Sequence, residues 1–201
     1  MKTLKQHIDE ALKIGNNLSE WSSYSCQPKT KDELIEIINK RIIKEGSKCD
    51  LNDIDVSIIE DMSYLFSFSN FSGDISKWNV SNVKNMSEMF SYSTFNKPIG
   101  NWNVSNVKDM SYMFDNSKFN KDISNWDVSN VENMRCMFYN AEFNQDISKW
   151  DTSNVKNMSY TFFHAKFNQD ISKWKINKDC DTKHMFEDCS IKEEFKPKLP
   201  K

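Results

Sequence analysis

From Leu51 to Phe186 the apolar positions of the chain recur every 24 residues. Trp78, Trp102, Trp126, Trp150 and Trp174 form one series. Phe66, Phe90, Phe114, Phe138, Phe162 and Phe186 form a second, and Phe71, Phe95, Phe119, Phe143 and Phe167 a third. Asn96, Asn120, Asn144 and Asn168 follow the later members of the third series, and no insertion breaks the register. A fixed period of this size marks units that bury their apolar faces only by stacking on their neighbours.

Within one unit the spacing changes character. Trp78 and Val80 alternate with Asn79, as on one side of a strand. Val83, Met86, Met89 and Phe90 are spaced like one stripe of a helix. Ser81-Asn82 lies at the switch, and Ser105-Asn106, Ser129-Asn130 and Ser153-Asn154 repeat it. A side-chain oxygen there can cap a helix. The unit therefore predicts a short strand, a cap, a short helix and a loop ending at Phe-Asn. Leu51, Ile54, Val56, Ile59 and Met62 place a first unit one period before Ile75, with Ile in place of Trp. The expected fold class is an α/β solenoid, leucine-rich-repeat-like, with a short parallel strand and a short helix per turn and about six turns over residues 51–186. The Asn after each closing Phe is expected at an inner bend, where it bonds neighbouring turns as a ladder; an exposed turn Asn is the alternative.

Residues 1–50 do not carry the repeat and are expected to form a helical N-terminal cap, the alternative being a separate functional module. Leu4, Ile8, Ala11 and Leu12 share one helical face. Thr30 and Glu33 stand at capping-box spacing ahead of a second helix bearing Leu34, Ile35, Ile37, Ile38, Ile42 and Ile43, with Gly46 as its stop. At the other end the apolar Val155 and Met158 give way to Asp179 and Thr182. Residues 187–201 are expected to be a C-terminal cap and tail, and Lys192 to Lys201 a mobile, solubilising end.

Composition narrows the functional classes. A mean hydropathy of −0.72 suits a thin core under a large polar surface. With 27 basic and 29 acidic residues the net charge is −2, which gives no pull toward nucleic acid or a membrane surface. No apolar run reaches the length of a membrane span, so no membrane insertion is expected. The N-terminus has no secretion-signal pattern, which places the chain in the cytoplasm, or at the cell surface if a leader has been removed. Five scattered cysteines form no C-x-x-C and no zinc spacing, as in a reduced chain.

The unit D-I-S-x-W-(D/N)-V-S-N-V-x-x-M-x-x-M-F-x-x-(A/S)-x-F-N resembles the BspA-like leucine-rich-repeat surface proteins, including the repeat of mycoplasma surface lipoproteins. The resemblance covers about residues 51–186. It implies an open-ended repeat scaffold, displayed on a cell surface and used for adhesion or protein binding, with no catalytic residues. The chain departs from that pattern in lacking a signal peptide, lipobox or wall anchor, which points equally to an intracellular or phage-encoded relative.

The residues themselves offer little chemistry. His7, His164 and His184 have no nucleophile or carboxylate at triad spacing, and no nucleotide-binding or metalloprotease motif occurs. No catalytic residue, cofactor or metal is expected, and the chain is not read as an enzyme. Asp74, Asp122, Asp146 and Asp170 form a column that Pro98 interrupts, and backbone bonding at a turn is expected there rather than calcium. Two faces remain. The sheet face carries Asn79, Asn103, Asp127 and Asp151. The outer helix face carries Tyr64, Glu88, Tyr112, Cys136, Tyr160 and His184. Tyr64, Tyr112, Tyr160, Asn79, Asn103, Asp127 and Asp151 are the candidate partner-binding residues. The expected function is a non-enzymatic protein-interaction scaffold of the BspA type, with a glycan or small-ligand module on the polar sheet face as the alternative.

Overall fold

The computed structural model describes residues 25–200, so the expected face of Leu4, Ile8, Ala11 and Leu12, and His7, lie outside the described residues. The first helix among the described residues is α1 (Lys31–Glu45). Thr30 caps it, its hydroxyl accepting from the Glu33 N–H at 3.2 Å, while the Glu33 carboxylate reaches back to the Lys29 N–H at 2.7 Å. Gly46 ends it at φ 88°, where an L side chain would be strained. Leu34 and Ile38 face inward and are buried, whereas Ile43 is 85% exposed. Leu34 and Ile38 belong to the same buried cluster as Leu51 and Ile54, and Lys31 and Arg41 tie the helix down through Asp61 and Asp53.

Beyond α1 the expected α/β solenoid of leucine-rich-repeat type does not form. Among the described residues there is no extended strand and no repeat helix. Besides α1 there is one short 3-10 turn (Glu193–Phe195), and the bridges between repeats are isolated parallel ones. Each unit is instead a layer made of successive turns. In the second layer Ile75, Val80, Met86, Glu88 and Phe90 each accept, at their carbonyls, the N–H three residues on.

The physical reason lies in where the backbone N–H groups go. In the first layer, Met62, Tyr64, Phe66 and Phe68 donate to the carbonyls of Asn85, Ser87, Met89 and Ser91 in the next, at 2.8–3.0 Å. The same four bonds recur at all five junctions down to His164 N–H on Glu187. A helix needs those donors for the carbonyl four residues back. Turns that advance by three and four residues bury the same positions as a helical stripe, so Val83, Met86, Met89 and Phe90 are inside either way. Spacing alone could not separate the two.

The strand expectation fails for a related reason. Trp78 and Val80 are buried and Asn79 is exposed, as alternation requires. Neighbouring layers are nevertheless joined there by side chains. The Trp78, Trp102, Trp126, Trp150 and Trp174 Nε1–H groups donate to Leu51, Ile75, Ile99, Ile123 and Ile147 carbonyls at 2.8–3.2 Å. The amides of Asn82, Asn106, Asn130 and Asn154 donate to Ser57, Ser81, Ser105 and Ser129 carbonyls at 2.7–2.8 Å. Those Asn residues stitch layers together; they cap no helix.

The core is a set of aromatic files. Phe66, Phe90, Phe114, Phe138, Phe162 and Phe186 stack with centroids 5.5–5.7 Å apart. Phe71 to Phe167 stack at 6.1–6.4 Å, and Trp126, Trp150 and Trp174 at 6.3–6.4 Å. The Asn ladder is present. Asn96, Asn120 and Asn144 each offer Oδ1 to the N–H of the next member, at 2.8–3.0 Å, and Asn168 serves Lys192. Gly73 permits the close approach of layers, since a Cβ there would meet the Cys49 carbonyl oxygen at 1.9 Å. At the C-terminal end the segment expected to be mobile packs back. Ile191 and Pro197 are buried, and the Phe195 carbonyl accepts from Ile171 N–H at 3.0 Å.

Candidate functional site

Every layer has corners and an aromatic edge. At a corner, an Asp or Asn side-chain oxygen accepts the N–H two residues on, which closes an Asx turn and competes with regular structure. Asp74 serves Ser76, Asp122 serves Ser124, Asp146 serves Ser148 and Asp170 serves Ser172, at 2.8–3.0 Å. That backbone bond is the leading cause that holds these four carboxyls below the usual carboxylate range. Asn79, Asn103, Asp127 and Asp151 make the same turn with Ser81, Ser105, Ser129 and Ser153 at 3.0–3.2 Å. Four of the seven side chains singled out from sequence are thus committed to their own corners.

The other three sit on the opposite kind of edge. Tyr64, Glu88, Tyr112, Cys136, Tyr160 and His184 form one column, and Phe68, Tyr92, Asn116, Asn140, His164 and Asp188 another. All twelve have φ between 47° and 63°. The turns Met62–Leu65 and Phe66–Ser69 place these residues third, the position where a type II turn demands positive φ. A non-glycine residue held there costs roughly 1–2 kcal/mol. The layer-to-layer bonds made by the same N–H groups offset that cost.

Rings gather on this edge. Tyr64, Phe68 and Tyr92 are 56, 74 and 50% exposed, and Phe68 stacks on Tyr92 at 4.7 Å. Two layers on, Tyr139 stacks on Phe163 at 5.0 Å, and Tyr160 packs near His184 at 4.9 Å. Between them lies a recess of about 330 Å³ walled by Tyr92, Tyr112, Tyr139 and Tyr160, with Asp115, Asn116, Arg135 and Cys136 completing its lining. The Arg135 guanidinium carbon stands 6.0 Å from the Tyr112 centroid and 5.4 Å from that of Tyr160, within reach of cation–π attraction. Its Nε donates to Tyr112 Oη at 2.9 Å.

Asp115 is buried in the same recess. Ser91 Oγ and Asn116 Nδ2 donate to it at 3.2 and 2.6 Å. Desolvation by burial pushes its carboxyl up, and the charge of Glu88 adds to this. Burial likewise raises the Cys136 thiol, which makes it a poor nucleophile. His164 lies 3.6 Å from Asp188, and His184 meets Glu187; both pairs are at the surface.

Arg135, Asp115, Tyr92 and Tyr139 were missed from sequence. A signal for Arg135 was available, because its column reads Ser63, Ser87, Ser111, Arg135, Ser159 and Lys183. Tyr112 and Tyr160 are brought together across Arg135, whereas Tyr64 stands apart near Lys31 and Glu88. Among the described residues no group of three or more His, Cys, Asp or Glu is placed to hold a metal ion, and no helix is long and apolar enough to cross a membrane.

These placements correct the functional expectation as well. The flat sheet face and outer helix face on which a BspA-type scaffold would bind do not exist, so that reading falls. The glycan or small-ligand alternative falls with it, since it used the polar sheet face. The leucine-rich-repeat resemblance is not sustained either. The strand and helix that define that repeat are absent among the described residues. No curated protein and no solved structure matched the chain. One family profile, described as "Mycoplasma protein of unknown function, DUF285", matches residues 39–142 and again residues 115–197, together well over half of the chain, and the chain belongs to that family.

Proposed function

We propose that the chain is a non-catalytic binding module that takes a protein partner at the Tyr92–Tyr160 recess. The observation that carries this is the gathering of rings around one fixed cation on an edge whose neighbours lie in ordered stacks. Tyr and Arg dominate the energetics of protein interfaces because they offer large contact area with a polar tip. The corners support the reading from the other side. Their carboxylates and amides already bond their own backbone, which leaves the aromatic edge as the place with uncommitted surface. All five cysteines are free, and a reducing cytoplasm is the compartment we propose with this role.

Differential capture tests the proposal. The immobilised full chain, a Tyr112→Ser/Tyr160→Ser variant and a Lys149→Ala/Lys173→Ala variant, whose exposed lysines follow the corner residues Asp146 and Asp170 by three positions, are compared with one lysate. The expected result is a protein retained by the parent and the corner variant and lost with the tyrosines, at an unchanged unfolding midpoint. Retention by the tyrosine variant, or loss with the lysines, overturns the proposal.

A further inference from the structure

The two arginines of the chain are held in opposite ways. Arg41 is paired with acid. Its Nη1 donates to both Asp53 oxygens at 3.0 and 2.9 Å, its Nη2 to the Asp50 carbonyl at 2.8 Å, and its Nε lies 2.8 Å from the Glu45 carboxylate. Arg135 meets only neutral oxygens: Tyr112 Oη at 2.9 Å and Ser159 Oγ at 3.0 Å. No described carboxylate forms an ion pair with it.

A guanidinium has five N–H donors in a planar fork. Two of those on Arg135 are used, and two tyrosine rings flank it. The sequence makes room for this arrangement. Tyr112 and Tyr160 stand two layers apart, the layer between them has the small Cys136, and Arg135 occupies a position that is Ser in four of the other five layers. The result is an oriented, partly exposed cation in an open recess with donors unused, and a guanidinium fork matches a carboxylate in geometry and charge.

We propose that Arg135 is a receptor for the carboxylate of an aspartate or glutamate side chain, presented by an acidic segment of the protein partner. This deepens the recess reading and rests on it. The tyrosine walls cover the methylenes of the incoming side chain while the fork takes its oxygens. Asp115 does not fill the role, because both its oxygens are engaged by Ser91 and Asn116.

The test uses the full chain labelled with nitrogen-15 arginine, in which Arg41 serves as an internal control. Acetylated, amidated hexaglutamate is titrated while both Nε–Hε signals are followed. The expected result is a saturable shift of the Arg135 signal with Arg41 unmoved, and no shift with hexaglutamine. Arg135→Lys keeps the charge but loses the fork, and is expected to weaken hexaglutamate binding about tenfold. A static Arg135 signal, equal movement of both arginines, or equal saturation by hexaglutamine or inorganic phosphate overturns the assignment. If the tyrosine substitutions abolish capture while hexaglutamate leaves Arg135 unmoved, the recess reading stands and the carboxylate reading falls.

Discussion

The corners and the aromatic edge are built from the same layers, yet they hold their side chains differently. At a corner, Asn103 or Asp146 folds back within two residues and is consumed by its own backbone. On the aromatic edge, Phe68 and Tyr92 turn outward from left-handed residues, at least half exposed, with their rings stacked on one another. The corners fix the path of the chain and leave little to recognise. The edge costs backbone strain and leaves ring faces and one guanidinium available. On the proposed reading, polar repeats therefore do not mark the binding surface, because repetition is what lets the polar groups satisfy one another.

Both regions hang on one core, and removing part of it should abolish the distinction. Phe114→Ala deletes a ring stacked between Phe90 and Phe138 and should cost about 3–5 kcal/mol in urea unfolding. A cost below about 1 kcal/mol would mean that the files do not bear the load. The corners come next. Asn130→Ala removes the amide bond to Ser105 and should lose about 1 kcal/mol, while Tyr92→Ser on the edge should change stability by less than about half as much. Equal losses would erase the contrast.

The strain on the edge can be relieved directly. Glu88 sits at φ 55°, and Glu88→Gly should gain roughly 0.5–1 kcal/mol once the entropy of glycine in the unfolded chain is set against the relief. Glu88→Val should lose more than that, because a β-branched residue fits the left-handed region worst. Calorimetry of the pair measures the sign. The smallest effect expected is on pH dependence. Asp146 is held low chiefly by the Ser148 N–H, so its contribution is present above the ordinary carboxylate range and fades as pH falls through the folded-state value. Asp146→Asn keeps the acceptor and removes the titration. Its stability curve should be flatter below about pH 4 than that of the parent, with little change at neutrality.

The period was legible because it rests on composition. Trp, Val, Met and Phe at fixed positions demand burial, and a chain that buries them in register must return on itself once per 24 residues. The Asn after each closing Phe was legible as a ladder for the same reason. Helix α1 was announced by Thr30, Glu33 and Gly46, whose effects are local. Secondary structure inside the repeat was not legible, since a run of turns and a helix bury Val83, Met86 and Met89 alike. The Ser and Asn residues between them, weak in helix interiors and strong in turns, were the cue that deserved more weight.

The sequence by itself thus determined which side chains would be buried, at what interval, and where helix α1 would begin and stop. The destination of each backbone N–H was decided only in three dimensions. A donor four residues from its acceptor makes a helix, and a donor facing the next layer makes a stack of turns; the choice depends on neighbours 23 residues away in Met62–Asn85 and its equivalents. The same long-range packing placed Arg135 between Tyr112 and Tyr160, residues from three successive layers that no local pattern joins.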